Sequence, residues 1–279
     1  MKTLIRNLIR KSPLAMALAR TIRQHNTLSQ IPGKTPWGFK FIGPAGMIQG
    51  TFEQTETAIV RSCLKRTDLL INIGANVGFY CAHALDIGKQ CIALEPHPDN
   101  VAVLLRNIKI NQWRAEVHPV ACGSKPDVLE LYGGGTAASL IQGWMGLPTA
   151  NSILVPIQTL DDVLGERFCN QRIFCLVDVE GAELGVLDGA HHFLNRSPKP
   201  LWMMEICIDE HHATASGRNP TMLETFDRFF SSGYRAYSAE EGLREVLRNE
   251  VELIASGGKN TLRGHNFIFS EADIDWLKE

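Results

Sequence analysis

The chain has 279 residues, 44% hydrophobic and 21% charged, with a net charge of -2. This is enough for one large globular domain with a sizeable core or for two small ones, and it excludes a chain drawn by its overall charge to nucleic acid. The charge is uneven: Lys2, Arg6, Arg10, Lys11, Arg20, Arg23, Lys34 and Lys40 lie in the first 52 residues without a single acid, so the remainder is net acidic.

Residues 3 to 24 place Leu4, Ile5, Leu8 and Ile9 on one helical stripe, with Arg6, Arg10 and Lys11 elsewhere. Pro13 then interrupts, and the expectation for residues 1–24 is a helix packed on its own protein or on a partner subunit, or else a peripheral contact with a membrane surface, where apolar residues embed and cations meet anionic lipid. The apolar run "PLAMALA" is short and is followed at once by Arg20 and Arg23, unlike a cleavage region. No run reaches the roughly 18 apolar residues needed to span a bilayer. Seven cysteines without CxxC spacing read as buried free thiols. A cytoplasmic protein, peripheral to the membrane at most, is therefore expected.

"IPGKTPWGFKFIGPAGM" reads as turns and short strands, and Glu53 to Leu64 as a helix. Residues 1–50 are thus expected to be a basic extension with a Gly/Pro-rich connector, ahead of a domain over 51–279. From residue 68 strands alternate with helices. "LLINI" and "CIALE" are strands, "PDNVAVLLRNIKIN" a helix with Pro98 in its first turn, and "EVHPVAC" a third strand. "VLELYG" and "ILVPIQ" flank a Gly-rich loop. "IFCLVDV" and "LWMMEIC" are strands, each followed by a helix, over residues 183–194 and 221–231. "GYRAYSA" and "HNFIFS" are the last strands, with Ser270 expected to cap a short final helix. Such alternation implies an α/β fold with a mostly parallel sheet covered on both faces.

Ligands in such sheets sit beyond the carboxyl ends of the strands. "INIGANVGFY" places Gly74, Asn76 and Gly78 in the first strand-to-helix loop, and Glu95 follows Gly74 by 21 residues at the end of the second strand. That spacing suits a carboxylate on ribose hydroxyls. The loop lacks the GxGxxG of a pyrophosphate site and the GK[ST] of a nucleotide triphosphate loop. An adenosine ligand without phosphate remains, and S-adenosylmethionine fits, with its methionine part over the Gly turn. Asp178 and Glu180 follow the fourth strand in "LVDVEGAE", beside the expected methyl group. A hydroxyl acceptor needs a proton acceptor as the new bond forms. The candidates are Asp178, Glu180, Glu205 and the pair His211–His212, with Asp178 favoured near the cofactor and Glu180 or His211 at the acceptor. Asp178, Glu205, Asp209 and His211 form no compact ligand motif, so no metal is assigned.

"INIGANVGFY", "IALEPHPDNVAVLLRNIKIN", "VPIQTLDDVL", "LVDVEGAELGVLDGA" and "WMMEI" together resemble, from about residue 50 onward, the ordered motifs of the FkbM family of S-adenosylmethionine-dependent methyltransferases. The resemblance implies a Rossmann-like class I methyltransferase with a seven-stranded sheet whose last strand is antiparallel. It implies O-methylation of a hydroxyl on a sugar, glycan or other natural product. This sequence departs from the family at two positions. Asn72 stands where the family has Asp, removing a charge expected to face the cationic cofactor, and Leu176 stands where it often has Lys. Two other readings remain at this stage: a nicotinamide-dependent oxidoreductase, and a noncatalytic nucleotide-binding protein with a degenerate site.

Overall fold

The computed structural model describes residues 30–146, 152–209, 211, 217–240 and 242–277. The expected helix over residues 3–24 and His212 lie outside the described residues. Strands β1 (Gly33–Lys34) and β2 (Lys40–Phe41) form a short antiparallel ladder. Helices α1 (Ala45–Gln49) and α2 (Gln54–Arg66) follow, then β3 (Leu69–Ile73), α3 (Phe79–Asp86), β4 (Gln90–Leu94), α4 (Pro98–Ile110) and β5 (Glu116–His118). A small sheet is built from β6 (Ala121–Cys122), β7 (Asp127–Tyr132) and β8 (Ser152–Gln158), in the order β6-β8-β7. Next come α5 (Leu160–Leu164), β9 (Ile173–Val177), α6 (Glu183–Asp188), α7 (His191–Leu194), β10 (Leu201–Glu205) and α8 (Met222–Ser231). The chain closes with β11 (Arg235–Ser238), β12 (Arg244–Val246), α9 (Arg248–Ala255) and β13 (Asn266–Ser270).

The main sheet runs β12-β11-β13-β10-β9-β3-β4-β5. Strands β10, β9, β3, β4 and β5 are parallel, and β13 enters antiparallel between β10 and β11. This is the expected seven-stranded arrangement with an eighth, three-residue strand, β12, added at the edge. Because both faces are covered, successive residues of one strand serve different cores. Leu69, Ile71 and Ile73 pack toward α5 to α9, while Leu70 packs toward α2, α3 and α4.

Several elements differ from expectation for local reasons. "EVHPVAC" is not one strand. Pro119, which lacks an N–H, separates β5 in the main sheet from β6 in the small one. The hairpin β7–β8 belongs to that small sheet. The helix expected over 183–194 breaks at Gly189, whose Cβ would lie 2.1 Å from the Gly123 carbonyl oxygen. Ser270 ends β13 instead of capping a helix; the turn at Asp275–Leu277 is set by Asp273, which accepts from the Asp275 N–H at 2.9 Å. Strand β12 and helix α9 were not anticipated.

The Gly/Pro-rich connector is integral to the core. Phe39, Phe41, Ile42 and Met47 pack with Val77 of the loop before α3 and with Phe79, Ala82 and Val103 on α3 and α4. Two helix asparagines clamp it. The Asn107 amide accepts from the Ile42 N–H (2.8 Å) and donates to the Ile42 and Val77 carbonyls (both 2.9 Å). Asn111 accepts from the Lys40 N–H (2.9 Å) and donates to its carbonyl (2.7 Å). Asn107 is buried, so its removal orphans three backbone groups with no water at hand. Urea unfolding should show Asn107→Ala losing about 2–4 kcal/mol and the more exposed Asn111→Ala less than about 1 kcal/mol. Equal small losses would mean that the clamp contributes little.

Candidate active site

The loops that follow β3, β4 and β9 meet at the carboxyl edge of the sheet. Gly74 makes this meeting close. Its φ is +80°, and a Cβ there would lie 1.7 Å from the Asp178 carbonyl oxygen, so only glycine fits. Gly78 has a different task. It caps α3 with φ +82°, and a Cβ would sit 3.0 Å from Leu104 Cγ; it sets how α3 lies on α4 and is not among the cleft-lining residues.

Glu95 is 4% exposed. Its Oε2 accepts from the Asn76 N–H (2.8 Å), and its Oε1 from the His97 N–H (2.8 Å) and the Asn100 amide (3.2 Å). Burial pushes its pKa up, and these bonds oppose that shift. A carboxylate has about four acceptor sites. Three are filled, and the remaining one, on Oε2, is available to a ligand.

A cleft of about 540 Å³, including its open mouth, runs from Glu95 to Glu180. Val120, Ala121, Cys122, Leu131 and Leu140 supply its apolar lining, and Asn76, Glu95, Asn100, Asp178 and Glu180 its polar lining. Residues 133–141 strap across it. The Asn100 amide donates to the Gly135 carbonyl (3.0 Å), and the Ser139 hydroxyl donates to the Glu180 carbonyl (2.6 Å). An apolar slot, an oriented carboxylate and an acidic end match an adenine, a ribose and a cationic tail in turn, so the donor set fits S-adenosylmethionine.

Asp178 is solvent-exposed, but it stands on the floor of this crowded cleft. Its pKa is pushed well up, first by the surrounding protein and then by the negative charges of Glu205, Glu180, Glu53 and Glu183. Glu180 has φ +53°, a conformation costing a non-glycine residue about 1–3 kcal/mol. Its Oε2 accepts from the Trp144 indole N–H at 2.7 Å. Burial raises the Glu180 pKa, while the Trp144 bond, His211 and His265 lower it. The His211 ring lies 5.7 Å from Trp144. The structure thus brings Asp178, Glu180 and His211 into one region. Glu205, beyond them, is raised to about 7 by burial and by Glu180 and Glu53, against the pull of His265, 3.9 Å away.

Sequence reasoning missed Glu53, Tyr80, Trp144, His265 and Asn100. Glu53 accepts from the Tyr80 hydroxyl at 2.6 Å. A tryptophan in a Gly-rich loop, and an asparagine one turn into the helix after Glu95, were the available signals. Gly181 makes room for Trp144, since a Cβ there would meet its ring at 2.6 Å. Among the described residues, no group of three or more His, Cys, Asp or Glu side chains is arranged to hold a metal ion.

Asn72 does not line the cleft. The pleat turns it to the face covered by α3, where it is 3% exposed and its amide donates to Cys81 Sγ at 3.4 Å. Its register partner on β9 is Leu176, also buried. The two positions at which the sequence departs from the expected motifs are therefore neighbours.

The strand order and the site at its carboxyl edge define a Rossmann-like methyltransferase. A sequence profile of the methyltransferase FkbM domain matches residues 72–236, more than half of the chain, and the protein belongs to that family. Comparison with curated proteins gives no match. Solved structures similar to the chain include precorrin-6y C5,15-methyltransferase from Geobacter metallireducens GS-15 (15% identity, 70% of this chain and 78% of that one, TM-score 0.39). An O-methyltransferase from Bacillus cereus in complex with SAH follows (12%, 81% and 82%, TM-score 0.44). The bifunctional kinase-methyltransferase WbdD is a third (11%, 90% and 46%, TM-score 0.46), and the chain spans about half its length. At such TM-scores these likenesses add no weight; the strand order and the family match carry the assignment.

The Asn72–Leu176 juxtaposition makes a testable prediction. Asn72→Asp alone should bury an unpaired charge and lower stability by about 2 kcal/mol or more. Combining it with Leu176→Lys should recover part of that loss in a double-mutant cycle followed by urea unfolding. Additive losses would show that the two positions do not couple.

Proposed function

We propose that this methyltransferase uses S-adenosylmethionine to methylate a hydroxyl of a sugar, glycan or other natural product. The observation that carries the reading is Glu95, a buried carboxylate fixed by three donors with one acceptor site left facing an apolar slot. When bound, S-adenosylmethionine supplies an electrophilic methyl group. The remaining tasks fall to the chain. Glu95 takes a ribose hydroxyl, and Asp178 faces the positive charge of the cofactor's tail. The strap over residues 133–141 excludes water. Glu180, or His211 across Trp144, accepts the proton that the acceptor hydroxyl releases, and the elevated pKa of Glu180 suits it to hold that proton. Alignment of acceptor oxygen and methyl carbon supplies the rest of the rate enhancement.

All seven cysteines are free thiols and six are buried. This supports a reducing compartment and hence a cytoplasmic enzyme. No helix among the described residues is long and apolar enough to cross a membrane.

S-adenosylhomocysteine should raise the melting temperature by binding the native state, and Glu95→Ala should remove most of that shift. An undiminished shift would place the nucleoside elsewhere. For catalysis, single-turnover transfer to an extract-derived acceptor should lose about 10²- to 10⁴-fold in Glu180→Gln, with cofactor affinity little changed. The sign of the pH effect follows from the raised pKa. The base works when deprotonated, so activity is present above that pKa and is lost as pH falls through it, at a higher pH than for an unperturbed glutamate. If the variant keeps the wild-type rate and pH profile, Glu180 is not the base.

A further inference from the structure

Resting on the reading of Glu180 as proton acceptor, we propose that Trp144 is its positioning residue: the indole N–H fixes one oxygen of the Glu180 carboxylate and leaves the other to receive the acceptor's proton. Glu180 is thereby chosen over His211 as the base. Trp144 is 1% exposed and is not among the cleft-lining residues, so any part it plays in the reaction passes through a neighbour. A buried indole needs a partner for its N–H. A plain core tryptophan could take a backbone carbonyl. Here the partner is Glu180 Oε2, at 2.7 Å, on a residue that lines the cleft. Among the described residues no hydrogen bond is made to Glu180 Oε1.

The hold on Glu180 is double. The Ser139 hydroxyl donates to its carbonyl at 2.6 Å, and Trp144, further along the same segment, takes its carboxylate. Ser139 is tied in turn to β7: its N–H donates to the Tyr132 carbonyl (3.0 Å), and its carbonyl accepts from the Tyr132 N–H (2.8 Å). The Met145 N–H donates to the His211 carbonyl (3.0 Å), which anchors the other end of the segment. Glu180 has φ +53°, a conformation that persists in a non-glycine residue only where its surroundings enforce it. Gly181 gives the indole its place, because a Cβ there would meet the ring at 2.6 Å.

The charges around Glu180 make the indole donor matter. Asp178 at the end of β9, Glu183 at the start of α6, Glu205 at the end of β10 and Glu53 before α2 all have their pKa raised in part by the Glu180 charge. Burial favours the protonated form of Glu180; the Trp144 bond opposes this, and so do His211 and His265. An N–H aimed at a carboxylate stabilises the ionised form. The indole therefore keeps Glu180 able to take a proton at a lower pH than burial alone would allow. It sets geometry as well, since holding Oε2 places Oε1, and alignment is where a transfer of this kind gains rate.

The first measurement needs no acceptor. In the full chain isotopically labelled at its tryptophans, the indole N–H resonance that Trp144→Phe removes should titrate with pH, because the bond strengthens as Glu180 ionises, and should cease to titrate in Glu180→Gln. In single-turnover transfer to the extract-derived acceptor, Trp144→Phe should move the acidic limb of the rate to higher pH. Below the wild-type limb the rate should fall about 10- to 100-fold, the worth of a hydrogen bond to a charged group, and most of it should return as pH rises. Benzothienylalanine at position 144, the same bicycle with sulfur in place of the N–H, should do likewise, which separates the donor from the packing of the ring. Trp144→Phe added to Glu180→Gln should cost nothing further. The melting shift with S-adenosylhomocysteine should stay at its wild-type size in these variants, which reports an intact cofactor site. An indole resonance that does not titrate, a limb that stays in place, or a loss equal at every pH would overturn the proposal. A limb unmoved in the Trp144 variants but abolished in Glu180→Gln would remove the role of Trp144 alone, whereas wild-type turnover in Glu180→Gln would remove the base and Trp144's role with it.

Discussion

The backbone contact between Gly74 and Asp178 is the constraint on which the site depends. The carboxyl ends of β3 and β9 converge until no Cβ fits between Gly74 and the Asp178 carbonyl. That convergence sets the floor of the cleft and aims two loops into it at once. One loop carries Asn76, whose N–H orients Glu95. The other carries Asp178 and Glu180. A side chain at Gly74 would push the loop that carries Asn76 away from the one that carries Asp178 and Glu180, even if every other contact were kept.

Around this floor the electrostatics are graded. Glu95 is fixed by three donors, while at the Asp178 side burial raises Asp178 and Glu205, and the negative charges of Glu180 and Glu53 push both further up. A concentration of negative charge suits a cationic ligand, and its relief on ligand binding would contribute to affinity. Family membership sets aside the oxidoreductase alternative. It also recasts the two departures at Asn72 and Leu176. Neither lines the cleft; the structure buries both as register partners on the α3-covered face.

The parallel strands were legible in the sequence because they are buried on both faces and read as nearly continuous apolar runs: "LLINI", "IFCLV" and "LWMME" all appear where expected. That Glu95, Gly74 and Asn76 stand together at the carboxyl edge of the sheet was legible for a similar reason, since each follows the end of a strand. Asn72 was harder to place. Its position in the chain beside the loop suggested the cofactor, but the pleat decides which face a strand residue serves, and a sequence read without the helices does not say which face is which. Pro119 and Gly189 were visible breakers, but whether they interrupt an element depends on what packs against them. Trp144, His265 and Glu53 come from three distant parts of the chain, and only the closed fold brings them near Glu180 or Glu205. Residues 33–49 read as a connector because glycines and prolines dominate them, while the aromatics that bury them against α3 and α4 carry no periodic signal.

The central claim is that one cleft, with Glu95 at its nucleoside end and Asp178 at its sulfur end, performs the chemistry. A crystal structure of the full chain with S-adenosylhomocysteine tests it most directly. The account predicts a ribose hydroxyl on Glu95 Oε2, the base in the slot lined by Val120, Ala121 and Leu131, and the sulfur beside Asp178. A ligand bound elsewhere, or bound here with Glu95 making no contact to the ribose, would contradict it.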